Sequence, residues 1–220
     1  MLESAPTPVV DAVHRTVDLR TEEDHVAVST TLRTGLSVPP GRLWPLLASP
    51  EGLARWYGPV TGDLREGGGF QAVGGAAGRI LEVDEPHRLS LTWEYGGQKD
   101  PLDLLLDPDD DGTTQLCLVH QVRMDREVFD RYGPGANAVG WDLALLGLAA
   151  HTGGWAAECG ADVPVPGPSW LASDEGAGYV RAWSIRWAAA SIAAGTDEDL
   201  ARRGENETTI AYGAGRPDPE

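Results

Sequence analysis

Residues 78–95, GRILEVDEPHRLSLTWEY, decide the fold, because they hold two stretches of strand length on either side of a short turn. In the second stretch Leu89, Leu91 and Trp93 share one phase, and polar residues occupy the other. Alternation with a period of two predicts a β-strand with one apolar face. Parallel strands need a connection of a dozen or more residues, so the short turn predicts an antiparallel pair.

Similar stretches surround this pair and extend it into a sheet. Strand-length runs separated by Gly, Asp or Pro turns occupy residues 62–73, 76–86, 87–97, 100–112 and 113–122. Short connections between successive strands predict an antiparallel meander. In the last run Leu116, Leu118, His120 and Val122 share a face. One side of the sheet is therefore apolar and must be covered.

Before the meander the sequence predicts a strand and two helices. Residues 24–36 alternate as a strand, whereas residues 1–20 are weakly patterned and predict an extended or loosely docked lead-in. A helix should follow Pro39-Pro40, with a kink or a delayed start at Pro45. A second, short helix over 50–57 should be capped by Ser49 and should end at Gly58, whose flexibility suits a left-handed exit.

After the meander the sequence predicts three helices. Residues 135–159 are apolar on two adjoining stripes, which predicts a largely buried helix that covers the sheet. A second helix should begin at Ser173 and end at Gly195. Its aromatic stripe, which includes Tyr179, Trp183 and Trp187, either packs back on the outer surface of the domain or makes a homodimer contact, and we favour the first. A short helix over 197–203, capped by a box formed by Thr196 and Asp199, should precede a tail that frays.

Composition restricts the partners. The chain has 220 residues with 17 Lys and Arg against 34 Asp and Glu, a net charge of −17. This charge repels nucleic-acid phosphates and anionic lipid headgroups, so we expect neither nucleic-acid nor membrane binding. Two cysteines, Cys117 and Cys159, and no visible secretory signal predict reduced thiols in a cytoplasmic protein. The five histidines show no ligand spacing, so we expect no metal and no cofactor.

Five separated motifs occur in a defined order: VPPGRLWPLLASPEGLARWYGP (38–59), DLREGGGF (63–70), GRILEVDEPHRLSLTWEY (78–95), GTTQLCLVH (112–120) and GWDLALLGLAAH (140–151). As a set they resemble the SRPBCC superfamily, which includes START, polyketide cyclase and birch-pollen-allergen proteins. They also resemble, more narrowly, its branch named after the activator of the heat-shock protein 90 ATPase. The resemblance implies an α+β helix-grip fold, in which a curved antiparallel sheet wraps around a long C-terminal helix. It divides the chain into an N-terminal extension (1–20), a helix-grip domain (21–160) and a helical C-terminal extension (161–220).

The glycine-rich stretch REGGGF (65–70) admits two interpretations, a phosphate-binding loop or a turn into a strand. A phosphate loop needs a helix N-terminus directly after it, and no helical pattern follows REGGGF. The resemblance likewise implies a turn into a strand of the sheet. We therefore predict a turn.

A sheet that grips a helix leaves a space between them, which either holds a ligand or is filled by side chains as a solid core. The residues that we predict to line a ligand site there are Trp56, Phe70, Ile80, Leu91, Trp93, Leu104, His120, Trp141, Leu145 and Leu148. Buried tryptophans need a partner for the indole N–H, which favours water or a polar ligand inside.

His120 is the residue of greatest chemical interest in this set. A buried imidazole could orient a ligand or act as acid or base, with Asp142 as its partner. The alternative is a structural histidine whose ring bonds to the backbone or to Asp142.

Three functions remain open at this point. The first is binding of a small hydrophobic or amphipathic molecule without catalytic apparatus. The second is an enzyme of the cyclase, aromatase or hydratase type, and the third is a chaperone-ATPase-activator-like protein interaction.

Overall fold

The computed structural model describes residues 7–158 and 162–213. The strands are β1 (Val13–Thr21), β2 (His25–Leu36), β3 (Val60–Gly62), β4 (Gly69–Ala72), β5 (Ala77–Asp84), β6 (Arg88–Tyr95), β7 (Gln98–Pro108) and β8 (Thr114–Asp125). The helices are α1 (Thr7–Asp11), α2 (Pro40–Ala48), α3 (Pro50–Leu53), α4 (Arg126–Tyr132), α5 (Gly135–Thr152), α6 (Pro168–Leu171), α7 (Asp174–Ala193) and α8 (Glu198–Gly213).

All eight strands form one antiparallel sheet in the order β1-β2-β8-β7-β6-β5-β4-β3. Short turns connect β3 through β8 as a meander, as the alternating pattern predicted. The last strand of the meander lies beside an early strand, because β8 pairs with β2 over twelve residue pairs. The sheet and the helix α5 that it grips make the α+β helix-grip fold that the sequence predicted.

The lead-in is part of the sheet, which corrects the prediction of an extended or loosely docked segment. β1 pairs with β2 over nine residue pairs, from Val13 opposite Thr34 to Thr21 opposite Val26. Its side chains alternate between buried and exposed from Val13 to Val17. The strand therefore presents an apolar face to the core like the strands of the meander.

The first two helices meet at a close backbone contact. α2 begins at Pro40, so the delayed start predicted from Pro45 is wrong, although Pro45 does lie inside the helix. The Ser49 hydroxyl accepts the backbone N–H of Gly52 at 3.0 Å, which confirms the predicted cap. A Cβ at Gly52 would lie 1.9 Å from the carbonyl oxygen of Pro45, so only glycine fits there. α3 ends at Leu53 and is shorter than the predicted helix over 50–57.

α5 covers the apolar face of the sheet, as predicted, but it ends earlier than residue 159. Gly153 takes a left-handed conformation with φ of 90° and stops the helix, and Gly154 continues the exit with φ of 108°. Trp155 then forms an isolated bridge to Leu36 of β2 and is buried. Cys159, predicted as a reduced thiol, lies outside the described residues.

The C-terminal extension packs back on the same chain, as we favoured. Ser173 caps α7 by accepting the N–H of Gly176 at 3.1 Å. Tyr179, Trp183 and Trp187 are buried, and α7 contacts β1 and α5. The aromatic stripe is therefore covered within one chain and is not free for the homodimer contact considered from the sequence.

α8 differs from its prediction at both ends. Its first turn is capped by Asp197, whose carboxylate accepts the N–H of Leu200 at 3.1 Å, and not by a box of Thr196 and Asp199. The helix continues to Gly213, through residues expected to fray. Contacts with the neighbouring α4 hold it in place, including a hydrogen bond from the hydroxyl of Thr208 to the α4 carbonyl of Tyr132 at 2.9 Å.

Candidate functional site

An apolar cavity of about 90 Å³ lies between the sheet and α5. We call it the inner cavity; its walls come from β3 to β8, from α5, from the end of α2 and from the segment around α3. Nine of the ten predicted lining residues border it: Trp56, Phe70, Ile80, Leu91, Trp93, Leu104, Trp141, Leu145 and Leu148. All of its lining residues are aliphatic or aromatic.

Local backbone geometry brings Phe70 into the wall of the inner cavity. Phe70 on β4 is opposite Gly78 on β5, where a Cβ would lie 2.8 Å from the phenylalanine ring and 1.8 Å from the carbonyl oxygen of Thr92. The missing side chain lets the ring lie over β5. The turn REGGGF leads directly into β4, with Gly67 at φ of 79°, so it is a turn into a strand, as predicted.

The size and lining of the inner cavity limit its contents. A water molecule needs roughly 10–15 Å³ of such volume, but it also needs polar partners, and an apolar cavity of this kind stays dry. An engineered apolar cavity of about 150 Å³ in another protein takes up benzene. The inner cavity is smaller, so an apolar group of a few carbon atoms fits without rearrangement, and a phenyl ring enters when the side chains of the wall move apart.

Two of the three tryptophans that border the inner cavity donate their N–H groups to the protein itself. Trp56 donates to the carbonyl oxygen of Leu46 at 2.9 Å, and Trp141 donates to Nδ1 of His120 at 3.0 Å. The argument that these indoles favour internal water or a polar ligand is therefore wrong for both residues.

A second, open pocket of about 360 Å³ adjoins the inner cavity. We call it the outer pocket; it lies at the N-terminal half of α5 and differs from the inner cavity in having polar groups in its wall, namely Gln98, Asp100, His120 and Asn137. Tyr57, Trp93 and Trp141 border both spaces. The rings of Trp93 and Trp141 meet edge to face with centroids 5.0 Å apart, so this pair is part of the partition between the two spaces.

The C-terminal extension contributes to the outer pocket. Tyr212 of α8 lines it, and its hydroxyl donates to the carbonyl oxygen of Ala136 in the first turn of α5 at 3.2 Å. Burial raises the pKa of Tyr212 to about 12, so the phenol stays neutral and keeps its donor. Sequence reasoning missed this residue, because it lies in the tail that was expected to fray.

His120 borders the outer pocket and not the inner cavity, which corrects its predicted place in the lining. It lies on β8 between Leu102 of β7 and Thr30 of β2, and it is 4% exposed. Nδ1 accepts the N–H of Trp141, whereas Nε2 has no hydrogen-bond partner within the described part of the chain. Burial lowers the pKa of His120 to about 4.

Asp142 is not a partner of His120. Arg15 donates to its carboxylate twice, from Nε at 2.9 Å and from Nη2 at 2.7 Å, and Trp187 Nε1 donates to the other carboxylate oxygen at 2.7 Å. Successive residues on a helix point about 100° apart, so Trp141 faces His120 while Asp142 faces β1 and α7. The predicted pair of His120 and Asp142 is therefore wrong as a catalytic unit.

Arg15, Asp142 and Trp187 form what we call the buried ion-pair network. The side chains of Arg15 and Asp142 are 3% and 0% exposed. Burial raises the pKa of Asp142, and the Arg15 guanidinium and the Trp187 N–H oppose that shift. Arg15 also donates from Nη1 to the carbonyl oxygens of Val10 and Val13, so the network has a structural role and no open face for a ligand.

Residues 37–153 match the family described as Activator of Hsp90 ATPase homolog 1-like protein. The chain belongs to this family. The match begins just after β2 and ends with α5, so the family segment contains the inner cavity, His120 and Asp142, and excludes Arg15, Trp187 and Tyr212.

Among solved structures this family member is similar to CalU16 from Micromonospora echinospora. The crystal structure of CalU16 is 33% identical, with a TM-score of 0.52, over 62% of this chain and 83% of that protein. Its solution structure is 26% identical, with a TM-score of 0.57, over 92% of this chain and 94% of that protein. The second alignment extends over most of the C-terminal extension. A comparison with curated protein sequences finds no match.

Within residues 7–158 and 162–213, no group of three or more His, Cys, Asp or Glu side chains could hold a metal ion. None of the helices described there is long and apolar enough to cross a membrane.

Proposed function

We propose that the protein binds a small hydrophobic or amphipathic molecule between the sheet and α5. The proposal rests on two adjoining spaces that differ in polarity. The inner cavity is apolar throughout, and the outer pocket opens to solvent and carries polar groups. Binding sites for small molecules combine an apolar wall with a few placed polar groups, which is the combination found here.

Family membership supports the proposal at a coarser level. In the helix-grip fold of the SRPBCC superfamily the space for a ligand lies between the sheet and the long helix, and this chain has its inner cavity at the same place. A fold alone does not fix a function, so the argument depends on the site itself. The enzymatic alternative paired His120 with Asp142, and Asp142 bonds to Arg15 and Trp187 instead. The chaperone-related alternative rests on the family name alone.

A fluorescence titration tests the proposal directly. N-phenyl-1-naphthylamine is an uncharged probe whose emission rises in apolar surroundings, and we expect saturable binding to the wild-type protein. Ala144→Leu adds apolar volume to the wall of the inner cavity and should weaken binding roughly tenfold or more. Ala189→Leu is the matched control, because it makes the same change on the exposed side of α7 and should bind like the wild type.

Two results would contradict ligand binding or its location in the inner cavity. Absence of saturable probe binding, together with no thermal stabilisation by a panel of alkyl and aromatic ketones, would overturn the proposal. Equal binding by wild type and Ala144→Leu would place the probe outside the inner cavity. Circular dichroism of both variants shows whether a loss of binding follows from a loss of fold.

Cytoplasmic location stays a prediction from the sequence.

A further inference from the structure

The partner of His120 fixes where its proton lies. The indole N–H of Trp141 is a donor without acceptor capacity, so Nδ1 of His120 must accept and carries no proton. A neutral imidazole carries one proton, which is therefore on Nε2. The pKa of about 4 keeps the ring neutral near pH 7. His120 thus presents an Nε2–H donor.

That donor is buried and unsatisfied by the described residues of the protein. Buried polar groups are paired in folded proteins, and an unpaired one destabilises the structure unless a ligand or water completes it. His120 is 4% exposed and borders the outer pocket, next to the shared wall of Trp93 and Trp141. Nε2 itself has almost no accessible surface, so an acceptor oxygen in the outer pocket would reach it after a small shift of the neighbouring side chains.

The charges around the outer pocket disfavour an anionic partner for this donor. Asp100 is the one carboxylate among the residues that line the pocket, and the chain as a whole has a net charge of −17. A carboxylate or phosphate head would be repelled by both. An uncharged oxygen acceptor suits the Nε2–H group without this repulsion.

We propose that Nε2–H of His120 recognises an uncharged acceptor oxygen, so that the protein selects ketones and similar carbonyl compounds over hydrocarbons of the same shape. The inference rests on the proposed function and adds the chemistry of the ligand. The carbonyl end lies in the outer pocket, and the apolar end passes the pair of Trp93 and Trp141 into the inner cavity. His120 acts in this scheme as a binding residue and transfers no proton.

Two isosteric probes test this selection. Acetophenone and α-methylstyrene have the same shape, and they differ in a carbonyl oxygen against a methylene group. Affinities are measured by calorimetry on the wild type and on His120→Leu. The ratio of the two affinities should shift against acetophenone by roughly five- to tenfold in His120→Leu, because one hydrogen bond is lost. Taking the ratio cancels any general effect of the substitution on the cavity.

A measurement on the wild type alone covers the case in which His120→Leu fails to fold. Nitrogen-15 NMR of the His120 ring should show a protonated Nε2 and an unprotonated Nδ1. The Nε2–H resonance should move on addition of acetophenone and stay in place with α-methylstyrene. A proton on Nδ1, or equal responses to both probes, would overturn the proposal.

The measurements distinguish an error about selection by His120 from an error about ligand binding itself. If both probes bind and the affinity ratio is the same in wild type and variant, selection by His120 is wrong while ligand binding stands. If neither probe nor N-phenyl-1-naphthylamine binds the wild type, ligand binding itself is wrong.

Discussion

Acidification should destabilise this protein through His120 in particular. The folded state holds its ring at a pKa of about 4, against an ordinary value of 6.5. The unfolded chain therefore takes up a proton at this residue near pH 6.5, and the folded chain does so only near pH 4. Between these values the unfolded state binds more protons, so stability falls as the pH falls.

The structure gives both the cause and the size of this loss. The second proton would have to enter at Nδ1, where the N–H of Trp141 already points at 3.0 Å, and the charged ring would be buried. A shift from 6.5 to about 4 corresponds to roughly 3 kcal/mol, at about 1.4 kcal/mol for each pH unit. The loss should begin near pH 6.5 and be complete near pH 4.

Urea unfolding followed by circular dichroism at a series of pH values measures this loss. The comparison is with His120→Gln, whose amide oxygen can accept from Trp141 and whose side chain does not titrate. The free energy of unfolding of the wild type should fall by roughly 3 kcal/mol more than that of the variant between about pH 7 and pH 4. His151→Gln makes the same substitution at an exposed histidine and serves as the matched control. A difference between wild type and His120→Gln that stays constant over this range would refute the reasoning.

Three further substitutions are checked by urea unfolding near pH 7. Arg15→Met should lower the free energy of unfolding by about 3–5 kcal/mol, because the buried Asp142 loses its counter-charge. Adding Asp142→Leu should recover much of that loss, and equal stability of the single and double variants would contradict this account. Gly78→Ala should lower the free energy of unfolding by more than about 2 kcal/mol, because its Cβ would lie 1.8 Å from a carbonyl oxygen of β6. Gly41→Ala, with open space around it in α2, should be neutral or stabilising by up to about 1 kcal/mol. Similar free energies of unfolding for the two variants would show that β5 moves to accommodate the new side chain. Ser49→Ala should cost about 1 kcal/mol by removing the cap of α3, and an unchanged free energy of unfolding would mean that water replaces the cap.

The parts of the fold that the sequence predicted are those set by local pattern. Strands β5 to β8 follow from alternation and turn residues, and the caps at Ser49 and Ser173 follow from hydrogen bonds within four residues. The nine predicted residues that border the inner cavity were found for a related reason. The phase of a strand and the stripe of a helix decide which side chains face each other across a layer.

Long-range contacts account for what was missed. Arg15 interrupts the apolar phase of β1, so the strand looked weak, yet its charge is matched by a carboxylate 127 residues away. The β-branched residues Thr208, Thr209 and Ile210 disfavour a helix on their own, and the contacts of α8 with α4 and α5 override that preference. His120 was placed correctly on its strand, but its partner depended on the rotation of α5, which periodicity alone does not fix.

The buried ion-pair network has a consequence for what counts as a unit of this protein. Similarity to the family covers residues 37–153, which include Asp142 and leave out both side chains that bond to it. Cutting the chain at those limits would leave a negative group in an apolar interior with nothing to neutralise it. The segment that matches the family is therefore narrower than the segment that holds the complete ion-pair network, and the latter extends from β1 to α7.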